Sequence, residues 1–256
     1  MSDENTPVCS NGDGLVLGVL GGMGPEATAD FLAKLVRATP VAAEQDHLRV
    51  LVDSNPKVPD RNKAIAGTGP SPNRILAEMA AGLERAGAEL LVMACNTAHA
   101  FESAIRQSIS IPFVSIVEEA CDASVRQVPA PRRVGVLAAP GCIEAGLYQA
   151  ALRCRGLEPV LLDEDDQSRF NALLYRIKRG LPAEGVHAGM KRLAERLDAQ
   201  GAEVIIAACT EVPLVLSQAD LDRPLIDATY NLATRCVRYA LRQELLPAAS
   251  MPLEKA

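Results

Sequence analysis

The amino-acid sequence predicts an α/β protein made of two similar α/β units, each a parallel sheet covered by helices, with the active site in the cleft between them. Three observations predict this. Short apolar runs alternate with amphipathic stretches along the whole chain. The runs are nearly continuous rather than alternating, as strands buried on both faces must be. Finally, three segments recur in the same order in each half, which implies two units related by a pseudo-twofold axis.

Taken in order, residues 15–20, 48–53, 90–94 and 113–116 read as buried strands, followed by 134–137, 159–162 and 204–207. Gly18-Val19-Leu20, with small residues up to Gly24, matches Gly135-Val136-Leu137, with small residues up to Gly141. The stretch from Leu83 to Glu89 matches that from Leu197 to Glu203, and Ile111-Pro112-Phe113-Val114 matches Arg223-Pro224-Leu225-Ile226. The offsets of Gly18 to Gly135, Gly87 to Gly201 and Pro112 to Pro224 are 117, 114 and 112. Such constancy is hard to obtain by chance. The expected division is a disordered tail over 1–14, a first unit of 15–117 with 225–256, and a second unit of 118–224.

Composition bounds the function. The 256 residues are 48% hydrophobic and 23% charged, enough for a substantial core. Aromatics are 3% and Trp is absent, so stacking platforms for bases or sugars are excluded. A net charge of -6 with no Lys/Arg run argues against nucleic acid as a partner. An anionic ligand then needs local cations. No apolar run approaches the roughly 20 residues that cross a bilayer, and the polar N-terminus lacks a signal-peptide pattern. A cytoplasmic protein with no membrane partner is expected. The seven cysteines form no CxxC pair, which argues against a disulfide framework and a metal site and leaves thiols free for chemistry.

Two of those thiols fall within the repeat. Gly87-Ala88-Glu89 leads through an apolar strand to Cys95, and Gly201-Ala202-Glu203 leads through another to Cys209. Each ends a strand, where ligands gather in open α/β sheets. If the units face each other, so do the thiols. Removing a proton from one face of a carbon and returning one to the other face requires two opposed acid/base groups, one charged and one neutral. Two cysteines in this relation point to inversion at a carbon α to a carboxylate, with no cofactor.

Around them, Asn96 and Thr97 follow Cys95, and Thr210 follows Cys209, as helix-entry residues that can bind a carboxylate. The Pro- and Gly-rich stretch 53–73 reads as a substrate loop whose Arg61 can clamp a carboxylate. Gly21-Gly22-Met23-Gly24 lacks the spacing of a phosphate loop, so Met23 and Gly24 read instead as a close backbone approach to substrate. His99, four residues after Cys95, either orients the thiol or is a satisfied core histidine. Glu211 reads as a relay or orienting group beside Cys209. Cys9, Cys121, Cys154 and Cys236 read as structural, and Glu118-Glu119 and 163–166 as solvated acidic runs.

At these residues the sequence resembles the aspartate/glutamate racemase family, in particular its aspartate racemase branch. The resemblance rests on Gly21-Gly22-Met23-Gly24-Pro25, Pro59-Asp60-Arg61, Cys95-Asn96-Thr97-Ala98-His99 and Cys209-Thr210-Glu211-Val212-Pro213. It implies a two-domain fold, often a homodimer, and inversion of an acidic amino acid, aspartate or glutamate, by the cysteine pair without pyridoxal phosphate. It also implies that Arg61 and Lys178 meet the distal carboxylate. The family usually carries Ala-Thr and then Gly-Thr over 138–142, where this chain has Ala138-Ala139-Pro140-Gly141-Cys142 and so a third thiol near the cleft. Diacid isomerisation or decarboxylation on the same fold, and amino-acid binding without chemistry, are the alternatives.

Overall fold

The computed structural model describes residues 14–127, 129–180 and 185–246. Cys9, the rest of the expected tail before Gly14, and 247–256 lie outside the described residues. Among the described residues there are two four-stranded parallel sheets of identical topology. The first has β1 (Leu17–Gly21), β2 (Val50–Ser54), β3 (Leu90–Met93) and β4 (Phe113–Val114), in the order β2-β1-β3-β4. The second has β5 (Arg133–Ala138), β6 (Glu158–Val160), β7 (Val204–Ala208) and β8 (Leu225–Asp227), in the order β6-β5-β7-β8. All seven runs read from the sequence overlap strands, although 113–116 runs on into α5 and 159–162 past the end of β6. The eighth strand, β8, shows in the sequence only through its match to β4.

Helices α1 (Pro25–Ala38), α2 (Arg61–Ile65), α3 (Asn73–Arg85), α4 (Glu102–Arg106) and α5 (Ile116–Val125) belong to the first half of the chain. The second half carries α6 (Pro140–Glu144), α7 (Leu147–Cys154), α8 (Glu164–Lys178), α9 (Val186–Ala199) and α10 (Ala228–Ala240). Their apolar spacing explains the layers. On α3 the buried positions are Leu76, Met79, Ala80 and Leu83, and on α9 Val186, Met190, Leu193, Ala194 and Leu197, each a single helical stripe. Gly24 caps α1 with Pro25 at its first turn, where a missing N–H costs nothing. None of the helices among the described residues is long and apolar enough to cross a membrane.

Strand alternation divides the interior. Leu17, Val19, Leu90 and Val92 face the same core as Val134, Val136, Val204 and Ile206, so one face of each sheet joins a shared centre with α1, α5, α7 and α10. The other faces are covered separately, by α3 on the first sheet and by α8 and α9 on the second. The repeat reaches the level of side chains. A Cβ on Gly18 would press on Leu91, Ala88 and Leu83, and one on Gly135 on Ala202 and Leu197, so each glycine admits the helix that crosses its strand. Glu89 accepts the Val16 N–H, and its counterpart Glu203 accepts the N–H groups of Arg132 and Arg133.

Two expectations change. The boundary at 224/225 cuts through a hydrogen-bonded pair: β8 runs beside β7 in the second sheet, while α10 crosses over to pack on α1 and α5. The chain therefore returns to the first half only after β8, through α10. The acidic runs are not uniformly solvated either. Glu119 is buried against Arg235 (2.8 Å) and accepts the Tyr239 hydroxyl (2.8 Å), and buried Asp166 pairs with Arg169 (2.8 Å). Asp163 caps α8 by accepting the Asp166 N–H.

Candidate active site

The ends of β3 and β7 carry the two thiols of interest, and both are buried, each 5% exposed. At the β7 end, Cys209 Sγ donates to Glu211 Oε2 at 3.0 Å, and Thr210 Oγ1 donates to the same oxygen at 3.3 Å. Lys178, the last residue of α8, places Nζ 2.9 Å from Glu211 Oε1. Burial and then the Glu211 carboxylate push the Cys209 thiol well above its ordinary range, and Lys178 only partly opposes them. Cys209 therefore holds its proton. Burial works against the charge on Lys178, but the Glu211 carboxylate beside it outweighs burial and holds the ammonium above its ordinary value. Lys178 and Glu211 thus form an ion pair beside the Cys209 thiol.

The β3 end is organised differently. His99 Nδ1 lies 2.8 Å from the Cys95 carbonyl, and its Nε2 accepts the Ile116 N–H at 3.3 Å. The second contact fixes the tautomer, with the proton on Nδ1 donated to Cys95. Burial, the largest influence, lowers the His99 pKa, so the ring stays neutral. Both nitrogens are occupied by backbone. His99 is therefore the satisfied core histidine of the two readings, fixing the Cys95 turn rather than exchanging protons with the thiol. Asn96 Oδ1 accepts the Tyr148 hydroxyl at 2.6 Å, while Asn96 Nδ2 is buried without a partner. Thr97 is buried beside it.

The loop after β2 contains α2, capped by Asp60, whose carboxylate accepts the N–H groups of Asn62 and Lys63. This helix packs against the turn Thr97–Phe101 and against α6. Arg61 Nη1 donates to the carbonyls of Val58 (3.2 Å) and Pro59 (3.0 Å), and Nη2 to that of Met23 (3.4 Å). Its Nε is buried without a partner. Asn62 Oδ1 accepts the Gly141 N–H at 3.0 Å, tying α2 to the second half. Reciprocally, a Cβ on Gly24 would stand 3.3 Å from Glu211 Oε1, so the first half's glycine turn borders the second half's carboxylate. Gly22, at φ +85°, abuts the Asn55 backbone too closely for any Cβ.

The structure thus brings Cys209, Thr210, Glu211, Lys178 and Gly24 together, and groups Cys95, Asn96, Thr97 and His99 with the helix of Arg61. Three readings need correction. The turns after the cysteines, Thr97–Phe101 and Val212–Leu214, are short 3₁₀ segments without side-chain caps, so Asn96, Thr97 and Thr210 cap no α-helix there. Cys142 is fully buried in the shared core rather than open to a ligand, and burial pushes its thiol far up. Cys154 is exposed rather than structural packing. Sequence reasoning passes over Tyr148 and Asn62, whose roles depend on partners 52 and 79 residues away and leave no local signal. No cluster of three or more His, Cys, Asp or Glu among the described residues is arranged to hold a metal ion.

Comparison with known proteins fits this arrangement. Residues 20–236 match the family described as Asp/Glu/Hydantoin racemase. The broad specificity amino-acid racemase RacX of Bacillus subtilis (strain 168) is 28% identical over 87% of this chain and 96% of its own length. The Picrophilus torridus aspartate racemase superposes with a TM-score of 0.80 at 25% identity, covering 91% of this chain and 96% of that one. Glutamate racemase isoform RacE1 from Bacillus anthracis shares the fold, with a TM-score of 0.64 at 17% identity over 92% of this chain and 84% of that one. With its paired four-stranded sheets and a family match over most of its length, the chain belongs to the Asp/Glu/hydantoin racemase family and is an amino-acid racemase, an isomerase.

Proposed function

We propose that this protein inverts the α-carbon of an acidic amino acid, aspartate foremost and glutamate second, by a two-base mechanism with Cys95 and Cys209 and no cofactor. One observation carries the reading: the two cysteines stand at equivalent strand ends of the two matching sheets, Cys95 after β3 and Cys209 after β7. One thiol must begin charged and the other protonated. Cys209, hydrogen-bonded to Glu211, is the resting acid, and Cys95 is the resting base. Abstraction of the α-proton by the Cys95 thiolate leaves a carbanion whose charge spreads into the α-carboxylate. Delivery of the Cys209 proton to the opposite face completes inversion, and Lys178 steadies the thiolate that results.

The unpartnered donors support the choice of substrate. A buried N–H without an acceptor costs about 1–3 kcal/mol, and Arg61 Nε and Asn96 Nδ2 are both in that position. Nη1 of Arg61 is spent on two carbonyls and Nη2 reaches a third at 3.4 Å, so its Nε is the donor left without an acceptor to meet a distal carboxylate. Asn96 Nδ2, next to Cys95, suits the α-carboxylate, with the Thr97 hydroxyl as a further donor; Thr210, which donates to Glu211, would have to turn its hydroxyl to join them.

A wider substrate range is the second reading, and one contact favours it. Lys178 is already paired with Glu211, which leaves Arg61 as the main cation for the distal group. The test is a chiral screen of the common amino acids in deuterated water, with Cys95→Ala and Cys209→Ala alongside. Expected are inversion of aspartate with one solvent deuterium at Cα, and a loss of about 10³-fold in each variant. Full activity in either variant ends the two-thiol mechanism, and faster turnover of neutral amino acids selects the wider range.

A further inference from the structure

The Asn96 amide is held from one side only. Its oxygen accepts the Tyr148 hydroxyl at 2.6 Å, toward the short end of the range for such a bond. Tyr148 stands on α7 in the second half, fully buried in the shared core, whereas Asn96 follows Cys95 in the first half. The bond therefore crosses between the halves. Asn96 is itself only 2% exposed, and its Nδ2 has no partner. An amide in this setting has two orientations. With the oxygen toward Tyr148, two N–H donors face away from it. Reversed, the amide would turn a lone-pair oxygen toward any bound carboxylate, which repels it. The phenol favours the first. Burial keeps it protonated, and against a reversed amide this fully buried hydroxyl would accept from Nδ2 and leave its own proton without the Asn96 acceptor.

We infer that Tyr148 is a positioning residue for the reaction: its hydroxyl locks the Asn96 side chain so that Nδ2 donates to the substrate's α-carboxylate beside Cys95. Tyr148 does not touch substrate and acts wholly through Asn96. The inference rests on the racemase reading above and adds to it an element from the opposite half. It also explains why so buried a tyrosine keeps its hydroxyl where phenylalanine would pack equally well.

The test is a double-mutant cycle on the full chain with Tyr148→Phe, Asn96→Ala and the double variant. It reads the dissociation constant of L-aspartate by calorimetry and the KM and kcat of α-proton exchange. Tyr148→Phe is expected to weaken binding and raise KM about tenfold with a smaller change in kcat, a loss of one charge-assisted hydrogen bond. The double variant is expected to equal Asn96→Ala alone, because the hydroxyl has no other route to the substrate. Unchanged KM in Tyr148→Phe, or losses that multiply, overturns the inference. Should Tyr148→Phe fail to fold, Asn96→Asp decides, since it keeps the Tyr148 acceptor but faces substrate with a charge: binding must fall more than tenfold, and unchanged binding overturns the inference. Wild-type protein that binds aspartate without exchanging its α-proton removes the racemase reading while leaving the cycle legible in the binding constants.

Discussion

The two halves share a backbone plan and differ in what surrounds their strand-end thiols. Each sheet has the same strand order, the same glycine under a crossing helix, and the same glutamate closing the turn before its third strand. Yet Cys209 faces a carboxylate at 3.0 Å that is paired with Lys178, whereas the turn bearing Cys95 is braced by a neutral histidine and a tyrosine-bound amide. Repetition supplies the geometry of two equivalent strand ends. Divergence sets the Lys178–Glu211 pair beside Cys209, an asymmetry that the proposed two-base reaction can use. Each half also completes the other's site: Glu211 borders Gly24, and Asn62 meets Gly141.

The larger break in this comparison comes from Glu211→Gln. Its carboxylate raises the Cys209 pKa, so a neutral amide lets that thiol ionise at lower pH. The alkaline limb of the pH–rate profile, where the acid thiol is lost, is expected to move down. The partner Lys178 also loses its counter-charge, at a cost of about 3 kcal/mol in stability. A profile that stays in place separates Glu211 from the thiol. The smaller effect sharpens the structural side. Gly18→Ala would force Cβ within 2.3 Å of Leu91 and 2.9 Å of Ala88, while at Gly135 the nearest atoms are 3.1 Å away. Urea unfolding is expected to show Gly18→Ala costing about 1–3 kcal/mol and Gly135→Ala less. Equal losses would mean that the two helix crossings are not as tight as their spacing indicates.

Much of this plan is legible in the amino-acid sequence. Apolar runs locate the strands because parallel strands covered on both faces have no polar side to show, and the repeat locates both cysteines. The last strand, β8, is harder, since three residues carry little pattern of their own. What stays hidden is relational. Nothing around Glu119 announces Arg235, 116 residues away, and nothing near Tyr148 names Asn96 as its acceptor. The expected helix entries after the thiols fail for a local reason: Asn96, Thr97 and Thr210 favour a cap, but the following chain tightens into single 3₁₀ turns.

The most direct measurement is a crystal structure of the protein with aspartate bound. The account predicts Cys95 Sγ and Cys209 Sγ on opposite faces of the α-carbon, each about 3.5 Å from it. Both sulfurs on one face, or either turned away behind packed side chains, would contradict it.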